Sequence, residues 1–180
     1  MKPIKYFVLF LIISLSFSSC TKDDLGRSEN KAAISVSLKS TTDELSKVFL
    51  DIEDVQIRVD NNSSNSWVSL NAINTGTHNI SDLAADTELL LVDHIEIDPS
   101  YIYEIKLVLG NTNFMDINNV IINLEVDENT IASNLVQREF EGNHIYQVIL
   151  ELDLDQSVQF NSEENTLILD PKLQTEIRKF

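Results

Sequence analysis

The sequence is poor in the residues from which most active sites are built. One cysteine, Cys20, stands among 180 residues. That excludes an internal disulfide and any multi-cysteine zinc or iron–sulfur centre. Four glycines leave no glycine-rich loop to cradle a phosphate, and no serine sits in a G-x-S-x-G elbow. The three histidines, His78, His94 and His144, are far apart and match none of the short spacings of a metal-binding pair. They read as strand-surface or turn histidines. Cations are scarce as well: 13 Lys and Arg face 29 Asp and Glu, a net charge of −16. This balance excludes a nucleic-acid partner, because binding phosphates needs clustered Lys and Arg. With 43% hydrophobic residues the chain is still no disordered acidic tail. Its length suits one domain with a real core.

What is present begins with an address. Lys2 and Lys5 precede an unbroken apolar run, Tyr6 to Ile13, which Ser14, Ser16, Ser18 and Ser19 thin out before Cys20. This is the layout of a secretory signal. It is too short for a spanning helix, which needs roughly 20 apolar residues. Phe17-Ser18-Ser19-Cys20 resembles a bacterial lipobox, with Phe17 where Leu is usual. The resemblance implies cleavage before Cys20 and fatty chains, palmitate among them, on that residue. The alternative is an ordinary signal with an incidental cysteine. One acyl chain, at ~0.8 kcal/mol per buried CH₂, holds a protein marginally, and two or more hold it stably. Lys22, Asp23 and Asp24, which follow Thr21, resemble the export signal of surface lipoproteins in Bacteroidota. That implies an outer-membrane protein facing the cell exterior, although the same residues also read as a polar tether. Removal of residues 1–19 leaves 11 Lys and Arg against 29 Asp and Glu, a net of −18.

Residues 21–31 are polar and read as a flexible spacer. Beyond them the pattern has period two. Ile34, Val36 and Leu38 alternate with Ser35 and Ser37, and Val120, Ile122, Leu124 and Val126 alternate with Asn123 and Glu125. Tyr101 to Leu109 and Tyr146 to Leu154 repeat the theme. Alternation of this kind places one set of side chains in a core and the other in water. Tyr101, Tyr103 and Tyr146 thus read as core residues. Leu45, Val48, Ile52, Val55 and Val59 also fit a helical stripe. The β-branched content favours a strand, provided a bulge near Glu53-Asp54 absorbs one extra residue. Shorter strands are expected around 67–70, 77–80, 89–91, 95–97, 131–136 and 167–169, with one helical turn within Asp82 to Glu88 and Asn-rich breaks between strands. Many short strands at this spacing predict an all-β fold, an antiparallel β-sandwich. The chain divides into a signal peptide (1–19), a lipidated cysteine with tether (20–31) and one β-domain (32–175).

Three stretches carry a family likeness. They are Ser35 to Asp60 followed by Trp67-Val68-Ser69-Leu70, the segment from Ile97-Asp98-Pro99-Ser100-Tyr101 through Gly110, and the closing Leu167 to Leu173. Together they resemble the DUF4382 family of secreted and lipoprotein β-domains over roughly residues 33–173. Ser100 replaces the usual Gly of the central segment. The resemblance implies an immunoglobulin- or transthyretin-like sandwich on a bacterial surface. It implies no activity.

Two candidate ligand sites remain. Glu151, Asp153 and Asp155 would stand about 7 Å apart along one strand face at ~3.3 Å per residue, a spacing that can hold Ca²⁺ with a loop carbonyl. The same acids also read as a solvated face that keeps the chain dispersed. Trp67 borders an Asn-rich loop and reads either as a core tryptophan, as the family likeness implies, or as a sugar-stacking one. The expected function is a non-enzymatic surface lipoprotein for adhesion, scaffolding or ligand capture, held to the membrane by its lipid. The alternative is a carbohydrate- or Ca²⁺-binding accessory protein of a nutrient-uptake system. Partners are then a surface glycan or a protein, and no cofactor is expected beyond the lipid.

Overall fold

The computed structural model describes residues 30–41, 47–59, 66–83, 87–127, 130–162 and 166–180. The tether and signal, with Cys20, Lys22, Asp23 and Asp24, lie outside them. The described chain forms two sheets. One has four strands in the order β13 (Leu173–Lys179), β10 (Ile145–Asp153), β1 (Ala32–Thr41), β5 (Leu89–Ile97). The other runs β11 (Val158–Asn161), β12 (Thr166–Leu169), β8 (Val120–Val126), β7 (Phe114–Ile117), β2 (Lys47–Arg58), β6 (Ser100–Leu109), β9 (Ser133–Phe140). The short β3 (Trp67–Ser69) and β4 (Gly76–Asn79) pair with β2.

The core lies between the sheets and follows from the alternation. Ile34, Val36 and Leu38 of β1 and Tyr146, Val148, Leu150 and Leu152 of β10 meet Val48, Leu50, Ile52, Val55 and Ile57 of β2 and Ile102, Ile105 and Leu107 of β6. The inward set of β2 changes parity after Ile52. Its register against β6 slips between Ile52 and Asp54, so the bulge expected at Glu53-Asp54 is present and the segment is a strand.

The all-β sandwich is as expected, but it is mixed rather than purely antiparallel. β1 runs parallel to β10, and β12 runs parallel to β8. Alternation reports which face a residue takes and carries no information on strand direction, so the sequence pattern could not separate the two. A helical turn, α1 (Leu154–Ser157), follows β10 directly. Leu154 is therefore in that turn and not in the strand. Asp82, Leu83, Thr87 and Glu88 are non-helical, and 84–86 lie outside the described residues.

Strand edges are blocked by particular side chains. The β13 carbonyls of Leu173 and Ile177 accept hydrogen bonds from Asn134 Nδ2 (2.5 Å) and an Arg138 guanidinium nitrogen (3.4 Å) of β9. On the opposite side, residues 70–74 cross from β3 and close the upper half of the β5 edge. There the Ile73 N–H donates to Leu91 O (2.8 Å) and Asn74 Nδ2 to Leu90 O (2.7 Å). Unpaired backbone at a sheet edge invites foreign strands, and such covers suppress it.

The end at which β1 begins is the entry end. Asn143 N–H donates to Lys31 O (2.8 Å), Ala33 N–H donates to His144 O (2.9 Å), and Lys31 Nζ pairs with Asp98. The 141–144 turn, the Asp98-Pro99 turn and Phe180 gather there.

Candidate functional site

An open cleft of about 400 Å³ lies at the entry end, below the 70–74 crossing. Its apolar walls come from both sheets: Ile57 and Val68 on one side, Ile95 and Ile97 on the other. Ile95 and Ile97 pair with Ile34 and Ala32, whose side chains are fully buried. They therefore face inward, and Glu96 between them faces out. Val68 keeps 44% of its surface exposed. The rim is polar, with the Lys31–Asp98 pair, Glu96 and Ser100. A cavity of a few hundred Å³ with apolar walls and a few polar groups is the usual form of a ligand site. Sequence reasoning reads Ile95 to Ile97 only as a short strand. The signal it lacks is the edge position of β5, which no local pattern encodes.

Trp67 stands elsewhere. It pairs with Arg58 on β2 and is half-buried on the outer face of the larger sheet, so the core reading is corrected. Lys106 Nζ lies 4.4 Å from its ring centroid and the Arg58 guanidinium carbon 5.8 Å. Such contacts contribute about 0.5–1 kcal/mol at exposed sites. Arg58 also pairs with Glu104 at 2.7 Å, and Glu104 accepts from Ser133 Oγ at 2.5 Å. On β6, Tyr101 and Tyr103 form a tilted pair with centroids 4.8 Å apart. Tyr101 is 43% exposed and Tyr103 half-buried, so neither is a core residue. The register of β6 against β9 slips between Ile102 and Glu104, and this second bulge breaks the simple alternation. Tyr146 alone of the three is fully buried, stacked on Phe140 at 4.1 Å.

The three acids are not brought together as ligands. Glu151 pairs with Lys39 at 2.9 Å, and its hydrogen bond holds the Lys39 ammonium above its ordinary range. Asp153 caps α1, accepting from Gln156 N at 3.0 Å and Gln156 Nε2 at 2.5 Å. Asp155 sits inside α1 rather than on a strand, which removes the same-face spacing expected of it. Asp51 and Glu53 are placed by the first bulge beside Gly110, where Asp51 accepts from Thr112 N. Asp54 accepts from Ala72 N at 3.3 Å. His78 lies on β4, His94 at an irregularity of β5 with φ 47, and His144 in the entry-end turn. Among the described residues no group of three or more His, Cys, Asp or Glu is arranged to hold a metal ion. No described helix is long and apolar enough to cross a membrane.

The family model of the domain of unknown function DUF4382 matches residues 31–171. No curated protein and no solved structure matches the chain.

Proposed function

Starting from a chain that belongs to the DUF4382 family, we propose that it is a lipid-anchored protein of the bacterial outer surface whose sandwich captures a ligand without transforming it. The observation that carries this reading is the cleft at the entry end, with Ile57, Val68, Ile95 and Ile97 as apolar walls and Lys31, Glu96 and Asp98 at its rim. The singled-out carboxylates support capture over catalysis. Of the three, Glu151 pairs with Lys39 and Asp153 caps α1, each held in a contact that shapes the fold. The anchor would be Cys20, with Lys22, Asp23 and Asp24 directing export. Labelled palmitate is expected on the wild-type chain and absent from Cys20→Ala, and protease added to intact cells is expected to remove the domain. Equal labelling of the two chains, or full protection in intact cells, would overturn the reading.

A second reading is carbohydrate binding on the outer face of the larger sheet. The exposed Tyr101 beside Tyr103 favours it, since an open ring face stacks on sugar. A glycan array is expected to show signal that Tyr101→Ala removes. Silence of the wild-type chain on the array would dismiss it.

A further inference from the structure

We infer that the lower half of the β5 edge, Ile95 to Ile97, is a docking strand for an extended peptide carrying basic and apolar residues in alternation. The inference rests on the capture reading above and names the partner class of the same cleft.

The argument begins with backbone. Among the described residues β5 is the end strand of its sheet and pairs with β1 alone. Along such an edge every second residue turns its N–H and C=O away from the neighbouring strand. The crossing at 70–74 occupies this edge at Leu90 and Leu91 and stops above Ile95. Across the cleft stands β3, which among the described strands pairs only with β2. Two strand edges thus border an apolar floor, the arrangement in which a guest strand gains main-chain hydrogen bonds from an edge and side-chain pockets from the floor. A guest of about five residues would span ~17 Å at ~3.4 Å per residue.

Side-chain parity then sets the chemistry. A strand added beside β5 places one set of side chains level with Ile95 and Ile97, in the cleft, and the other level with Glu96, facing out. The inward positions call for apolar side chains. The outward positions meet the exposed Glu96, with Asp93 before it and Asp98, already paired with Lys31, after it, and opposite charges on neighbouring strands attract. Acidic edges repel acidic strands, so a second copy of this chain, at net −16, is the wrong guest. A basic strand is the right one.

The test uses the full chain, purified in detergent micelles, and amide hydrogen exchange read by mass spectrometry. The probes are the capped peptides KVKVK and EVEVE, and KVPVK, whose central proline removes one ladder donor. KVKVK is expected to slow exchange across 93–98 several-fold, with little effect from EVEVE or KVPVK. Glu96→Lys, at an exposed position, is expected to exchange the preference between KVKVK and EVEVE. No protection with millimolar KVKVK would overturn the proposal. So would protection equal for KVKVK and KVPVK and unmoved by Glu96→Lys, which marks general attraction to an acidic protein. Protection of 93–98 that grows with the protein's own concentration would overturn it in favour of a second copy. The anchor experiments read out at Cys20, so the tethering claim and this one fail separately.

Discussion

Gly142 lies directly on the backbone of Asn30. A Cβ on Gly142 would overlap the Asn30 carbonyl and Cβ. Here the last residues before the sandwich are pinned to the β9–β10 turn, and a fixed main chain cannot yield as a side chain can. Gly110 is crowded differently, by the carboxylates of Asp51 and Glu53, which can rotate away. Gly142→Ala is therefore expected to cost about 1–3 kcal/mol, the usual range for overpacking, and Gly110→Ala less. Urea melts of the two variants check the order, and the reverse order would refute the assignment of rigid and yielding neighbours.

Asn113 is 2% exposed and binds the first bulge to the β6–β7 loop. Its Oδ1 accepts from Asp51 N (2.9 Å), and its Nδ2 donates to Gly110 O (2.7 Å). Asn113→Ala leaves both backbone groups without these partners, at ~1–3 kcal/mol for each group that stays dry. A stability loss of about 2 kcal/mol or more is expected in chemical denaturation. A loss within error of zero would show that water replaces the amide.

The entry end also carries a pH dependence. The hydrogen bond from Lys179 (3.0 Å) holds the Glu141 carboxyl below the ordinary 4.5, and the same contact raises Lys179 above 10.5. A carboxyl lowered in the folded state stabilises above its unfolded value, and that contribution disappears as pH falls through the folded value. A raised lysine stabilises below its unfolded value and loses the contribution as pH rises through the folded one. Both partners are exposed, so the effect is small and weakened by salt. Glu141→Gln is expected to lower Tm slightly at pH 7, with a deficit that is smaller at pH 3. An equal deficit at both values would contradict the pairing.

Trp67 is the only tryptophan, so fluorescence reports its surroundings alone. Lys106→Met removes the ammonium 4.4 Å from the ring centroid, and a shift in emission is expected with a stability change of about 1 kcal/mol or less. An unchanged spectrum would show that the contact does not persist in solution.

Tyr146 joins core to turn, since its hydroxyl accepts from Glu141 N at 2.9 Å while its ring stacks on Phe140. Tyr146→Phe keeps the stack and removes the acceptor. It is expected to cost about 1 kcal/mol, whereas Tyr146→Ala costs ~3–5 kcal/mol by analogy with large aromatic truncations. Similar losses in the two variants would mean that the hydroxyl, and not the ring, carries the site.

Much of the fold is legible in the sequence because alternation is a local signal. Ile34, Val36 and Leu38 face inward as their spacing predicts, and the parity change after Ile52 is itself the mark of a bulge. Tyr101 and Tyr103 mislead because a second bulge, between Ile102 and Glu104, interrupts a run that looks regular in sequence. Trp67 stays open for a related reason: three residues are too few for a period to declare a face. The cleft leaves no trace in the sequence. It exists because β5 and β3 end two different sheets on the same side, and strand order is a property of long-range pairing that no short window contains.

The pairing of β1 with β10 bears on when this protein takes shape. Ala33 sits beside Ile145 and Leu38 beside Leu150, so β1, which meets β5 about half-way along the chain, gains its second neighbour only after most of the chain has emerged. Closing so long a loop is slow. Until then Ile34, Val36 and Leu38 have β5 on one side only, so the smaller sheet is completed late, when the last third of the chain arrives to close its open flank.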